Sequence, residues 1–144
     1  MLNFLFPVKP DATGYSLLLL SFRILFGILL MTHGMQKWSN FEELSTKFPD
    51  PLGVGSSISL GLAIFGEVAC SVGFILGAFY RLALVPMIFT MMIAFFVIHG
   101  GDPFSAKELA FVYLLVYIIM FFAGPGKFSI DHFIGKMVVR GKHK

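Results

Sequence analysis

Four apolar stretches, at about residues 15–37, 58–79, 82–99 and 107–123, are each long enough to cross the hydrocarbon core of a bilayer as a helix. Together with their short connections they use nearly all of the chain, so residues 1–144 read as one membrane domain. Composition agrees. Of 144 residues, 57% are hydrophobic and only 13% charged, with 18 Phe, which is too apolar for a soluble domain of this length. The expected fold is an all-α integral membrane protein, a bundle of four transmembrane helices. The net charge of +3 is too small and too dispersed for a nucleic-acid-binding surface. Cys70 is the single cysteine and lies within a span, so no disulfide forms within the chain and any dithiol partner belongs to another molecule.

The first span carries charge where lipid disfavours it. Arg23, Gly27, Leu30, Gly34 and Lys37 recur at steps of four and three and therefore share one helix face. Two glycines on that face admit a neighbouring helix closely, which turns the arginine into protein and away from lipid. A guanidinium inside a span costs at least about 2.5–3.5 kcal/mol on insertion scales, so it calls for a partner or a function, against the plainer reading of an arginine snorkelling back to its own interface. Pro7, Pro10 and Gly14 discourage helix before Tyr15. With no basic leader and no small-residue cleavage site before Lys37, the first span reads as retained.

The second span has Glu67 near its middle, beside a stripe of small residues, Ala63, Gly66, Cys70, Gly73 and Gly77. Counted from the membrane side they share, Arg23 and Glu67 differ in depth by roughly 6 Å, within the reach of an extended arginine. The first geometric expectation is therefore an intramembrane Arg23–Glu67 pair, set against a protonated, hydrogen-bonded Glu67. Gly27, Gly34, Gly66, Gly73 and Gly77 are the expected helix-packing positions. Pro86 falls in the first turn of the third span, where a missing N–H costs little. Ser105 and Glu108 form an S-x-x-E capping box for the fourth span, and Ser39-Asn40-Phe41-Glu42 another for a short helix in the long connection. Tyr113 and Tyr117 share a face, with lipid-facing filler as their ordinary role, though either hydroxyl could reach a polar interior. After Gly124-Pro125-Gly126, Ser129 caps a helix over about 129–139. Its apolar Ile130, Phe133, Ile134, Met137 and Val138 lie opposite Asp131, His132, Lys136 and Arg140. This is an amphipathic interfacial helix, too short and polar to cross.

Basic residues set the orientation. Lys9, Arg81, Lys127, Lys136, Arg140, Lys142 and Lys144 fall on one side, and Lys37, Lys47 and Lys107 on the other. Seven against three places both termini in the cytoplasm. It also gathers His33, Lys37, His99 and Glu108 near the outer surface as candidate ligand-binding residues. No metal site is expected. A haem held axially between His33 and His99 is the weakest alternative, since histidines at span ends are ordinary.

The series Arg23, Gly27, His33-Gly34 and Lys37 resembles the first-span signature of the DoxX family. Phe48-Pro49-Asp50-Pro51-Leu52-Gly53 resembles that family as well, as do Gly66-Glu67 with Gly73, Gly77 and Arg81, and the closing Gly124-Pro125-Gly126-Lys127-Phe128-Ser129-Ile130-Asp131. The likeness runs from about Ser21 to Asp131. It implies a four-helix protein of the bacterial inner (plasma) membrane. It also implies an association with redox systems, since the family is named after a small membrane subunit of a quinone-reducing thiosulfate oxidoreductase and other members are linked to thiol or oxidative-stress systems. No catalytic residue follows from it.

Two functional classes stand open. One is a redox-associated membrane subunit, working with a soluble or membrane redox partner. It would bind a quinone-like or other lipophilic small molecule through His33, Lys37 and His99, with Glu67 or Glu108 exchanging a proton. The other is a non-enzymatic assembly or anchoring partner, or a small-solute carrier, in which Arg23 and Glu67 only lock helices together. The sequence leaves the oligomeric state open.

Overall fold

In a computed structural model the described residues are 13–141, and these are all-helical with no strand among them. Helix α1 (Thr13–Ser39) is followed by the single turn α2 (Phe41–Leu44), then α3 (Ser56–Leu76), α4 (Tyr80–Ile98), α5 (Phe104–Ala123) and α6 (Ile130–Gly141). Four of these, α1, α3, α4 and α5, are long and apolar enough to cross a membrane. Their outer faces expose large apolar side chains such as Leu18, Phe65, Leu82 and Phe122, as lipid-facing surfaces do. Lys9, Lys142 and Lys144, with Pro7 and Pro10, lie outside the described residues, and so does the side chain of Arg140.

The core runs down the middle of the bundle and is strongly aromatic. Phe74 stacks on Tyr80 and meets Tyr117 edge-on, Tyr117 stacks on Tyr113, and Tyr113 meets Phe26 and His33 edge-on. Tyr113 and Tyr117 are thus interior residues and not lipid-facing filler. Hydroxyl groups so placed need acceptors. Tyr117 donates to the Phe26 carbonyl at 3.0 Å and Tyr80 to the Met120 carbonyl at 3.1 Å.

The expected small-residue face sets the register of α1 against α3. A Cβ on Gly27 would collide with Ile75 and Phe74, and one on Gly34 with Val68 and Glu67. Gly66 faces Thr90 of α4, and Gly73 faces Ala83. Gly77 has a different task. At φ 66° it ends α3 in the left-handed region, with Ala78 N–H donating to Gly73 and Gly77 N–H to Phe74.

Two helices contain π-helical segments, Phe65–Ala69 in α3 and Ile93–Ile98 at the end of α4. Several caps differ from the sequence expectation. α5 begins at Phe104 after Pro103 with no side-chain cap, so Ser105 and Glu108 do not close a box. Pro103 already fixes an extended entry to the helix (φ −60°, ψ 154°). Asn40 donates to Gln36 of α1 instead of capping α2. The turn into α3 is held by Asp50, whose carboxylate accepts from Val54 N, Gly55 N and the Ser59 hydroxyl. The Ser59 hydroxyl, followed by the Gly55 amide, holds the Asp50 carboxyl below the usual carboxylate range.

Candidate functional site

The register just described separates the two intramembrane charges. Arg23 lies one turn before Gly27 and so faces the end of α3, whereas Glu67 packs against Gly34. Eleven residue steps of α1 separate those levels, about 16 Å at 1.5 Å per residue. The expected Arg23–Glu67 pair is therefore not formed, and each charge has its own partners.

Arg23, only 1% exposed, binds backbone oxygens throughout. Nε donates to the Phe74 carbonyl, Nη2 to Ile75, and Nη1 to both Pro125 and Phe128. Phe74 and Ile75 lie in the last turn of α3, where carbonyls run out of helical partners and the dipole favours a cation; the Phe74 carbonyl also accepts from Gly77 N. Pro125 and Phe128 belong to the loop before α6. The guanidinium thus ties the end of α3 to the C-terminal segment.

Beside it, Asp131 completes a second tie. Its carboxylate accepts from Phe79 N at 2.9 Å and Tyr80 N at 2.8 Å, the leading amides of α4. Its own N–H donates to the Gly77 carbonyl. Phe79 takes a positive φ of 46°, uncommon for an aromatic residue, and this carboxylate holds it there. Ser129 caps α6 as expected, accepting from His132 N. Asp131 and His132 do not face water as the helical pattern suggested. Both are buried, and the apolar Ile130, Phe133 and Met137 are exposed. Asp131 and His132 pack into the bundle, while Lys136 of the same helix stays exposed.

Glu67 is the second of the two intramembrane charges, 3% exposed, and it sits in the π-helical turn Phe65–Ala69. A wider turn of this kind displaces a side chain from the regular helical face and is frequent at functional sites. Both of its carboxylate oxygens lie 2.5 Å from Lys37 Nζ. The Lys37 side chain is 28% exposed, so the pair joins the protein interior to the surface. Tyr113 and Tyr117 stand in the electrostatic field of the Glu67 carboxylate. The His33 ring lies 6.2 Å from that of Tyr113. Lys37, Glu67, His33 and Tyr113, from α1, α3 and α5, make up the candidate site. It combines a cation, a buried carboxylate and an imidazole against an aromatic wall.

Of the four outer-surface residues expected to form one cluster, His33 and Lys37 take part in this arrangement. His99 instead pairs locally with Asp102, at 2.8 Å from Nδ1 to the carboxylate. Glu108 is exposed and, among the described residues, makes no ion pair. Lys107 donates to the Gly100 carbonyl and lies over the Phe95 ring. Among the described residues no group of three or more His, Cys, Asp or Glu side chains is placed to hold a metal ion. Tyr113 was visible in the sequence as a tyrosine that could turn inward. The π-helical turn around Glu67 left no sequence signal.

Comparisons with known proteins agree with this architecture. An uncharacterized protein of Haemophilus influenzae is 25% identical over 133 residues, spanning 87% of this chain and 87% of its own length. No solved structure is significantly similar. The DoxX family model matches residues 18–100, the stretch that holds Arg23, His33, Lys37 and Glu67 and stops short of the Gly124–Asp131 motif. That match covers more than half of the sequence, and the chain belongs to the DoxX family.

Proposed function

We propose that this DoxX protein is a redox-associated subunit of the bacterial inner membrane that binds a quinone-like lipophilic carbonyl compound at the Lys37–Glu67 site. The observation that carries the reading is a carboxylate 3% exposed, in a π-helical turn, paired with a lysine that reaches the surface. An intramembrane ionisable pair is costly and is ordinarily kept for a function. The surroundings suit such a ligand. Tyr113 and Phe26 offer aromatic walls, and Lys37 and the His33 ring supply polar groups at the rim. A quinone supplies carbonyl oxygens that take up protons and electrons. Lys37 would donate a hydrogen bond to one such oxygen, and Glu67, protonated from the aqueous side past Lys37, would pass on the proton that the oxygen takes up with its electrons. Electrons come from, or go to, a separate redox partner. The alternative, a non-enzymatic anchoring subunit or small-solute carrier, gains support from Arg23, whose four carbonyl bonds are structural.

The chain contains a single tryptophan, Trp38, which adjoins Lys37 and is exposed. A short-chain quinone titrated into purified protein should quench Trp38 emission saturably. Lys37→Met and Glu67→Gln should each weaken that binding about tenfold or more, the loss of one charge-assisted contact. His99→Ala and Glu108→Ala should leave it unchanged. Equal binding by the wild type, Lys37→Met and Glu67→Gln would show that the pair does not form a ligand site, and the anchoring reading would replace this one.

A further inference from the structure

A groove of about 380 Å³ lies between α4 and α5 on the outside of the bundle, away from the Lys37–Glu67 site. Val85, Ile88, Phe89 and Met92 form one wall, and Ile118 and Phe121 part of the other. Its lining is almost wholly apolar, as an acyl chain requires. Arg81 continues the α4 wall one turn before Val85, in the first turn of the span, where headgroups lie. Its guanidinium stands 6.0 Å from the Phe121 ring centroid, and Nε donates to the Phe121 carbonyl at 3.3 Å. That contact places the cation at the mouth of the groove. A guanidinium matches the planar, two-oxygen geometry of a phosphate better than an ammonium does.

From this juxtaposition we infer that the α4–α5 groove is a binding site for an anionic phospholipid, with the phosphate on Arg81 and one acyl chain along Val85 to Met92. The charge at the mouth favours this occupant over a neutral isoprenoid or a second copy of the chain. An isoprenoid presents no anion to Arg81. A second copy of the chain would bring a second Arg81 into a two-fold contact across this face.

Detergent-purified protein would be mixed with phosphatidylglycerol and phosphatidylethanolamine of identical acyl chains and examined by native mass spectrometry. Phosphatidylglycerol should be retained about tenfold more than phosphatidylethanolamine, the discrimination one charge-assisted contact supports. Arg81→Gln should bring the two to parity, and Arg81→Lys should keep only part of the preference. Ile88→Trp, which fills the groove without touching charge, should reduce retention of both lipids. Leu109→Trp, on an exposed part of α5 outside the groove, should change neither. If Arg81→Gln does not fold, Ile88→Trp and Leu109→Trp still decide the matter. Equal retention of both lipids by the wild type, preference surviving Arg81→Gln, or lipid binding unaffected by Ile88→Trp overturns the inference. So does a dimer whose cross-links map to Val85 and Phe122. Quinone binding at Lys37–Glu67 is read separately through Trp38, so either result can fail without the other.

Discussion

Arg23 and Glu67 show how two intramembrane charges are resolved by different chemistry. Arg23 neutralises nothing directly. It supplies donors to four carbonyls, two of which belong to the last turn of α3. Arg23→Met strands those oxygens in a low-dielectric interior and is expected to cost at least about 3 kcal/mol. Arg23→Lys, with a point-like ammonium in place of a fork, should recover part of that. Unfolding of detergent-solubilised protein measures both. Glu67 is ion-paired, and its expected signature is coupling. Lys37→Met alone leaves a buried carboxylate without its cation, a loss of about 1–3 kcal/mol moderated by the partial exposure of Lys37. The Lys37→Met/Glu67→Leu double variant should be more stable than the sum of the singles predicts. Additive effects would mean that the pair does not hold the helices together.

At the scale of elements, the ends of helices are stabilised from a distance. Asp131 of α6 caps α4, and Asp50 of the long connection caps the entry to α3. Asp131→Ala should cost about 1–2 kcal/mol, as losing a helix cap does, and should raise hydrogen exchange first at residues 77–82 and in α6. Asp50 makes a pH prediction with a definite sign. Its folded pKa lies below the unfolded value, so its contribution is present above the ordinary carboxylate range. That contribution is lost as pH falls through the folded value. The protection factors of the Val54 and Gly55 amides should fall on acidification in the wild type and be low at every pH in Asp50→Ala. The helices themselves were legible in the sequence, because length and apolarity define a span almost without regard to context. Four of the caps were not. Ser105–Glu108 and Asn40 have suitable side chains next to helix starts set by other residues. Asp50 and Asp131 act across loops that sequence spacing does not describe.

Taken as a whole, the molecule divides its polar chemistry between the two ends of the bundle. Arg23, Asp131 and the Pro125–Phe128 loop close one end, and Lys37, Glu67 and His33 stand toward the other. The same division explains which part of the site could be read beforehand. The shared face of Arg23, Gly27, Gly34 and Lys37 was plain from its period. Which residue of α3 meets which residue of α1 depends on the antiparallel register, and that is fixed by Gly27 against Ile75 and Gly34 against Val68. A depth estimate counted from the helix ends cannot supply it. The excess of basic residues around the loop after α3 and around α6 supports cytoplasmic termini. Reporter fusions at Lys144 should read cytoplasmic and at Thr46 external; the opposite pattern would invert the proposed site's exposure.

The Arg23 bonds to Pro125 and Phe128 also have a consequence in time. Their acceptors follow Arg23 by 102 and 105 residues in the chain. At 5–20 residues per second, a ribosome takes roughly 5–20 seconds to make that interval. During those seconds the first span has a guanidinium without two of its final acceptors, and α4 waits for the carboxylate that caps it. The nascent protein must therefore be sheltered by the insertion machinery, or by water at the membrane boundary, until the last helix arrives. Chains stopped after Ala123 should insert their four spans and yet be cleared by membrane proteases much faster than the full chain, in a pulse-chase read by immunoprecipitation.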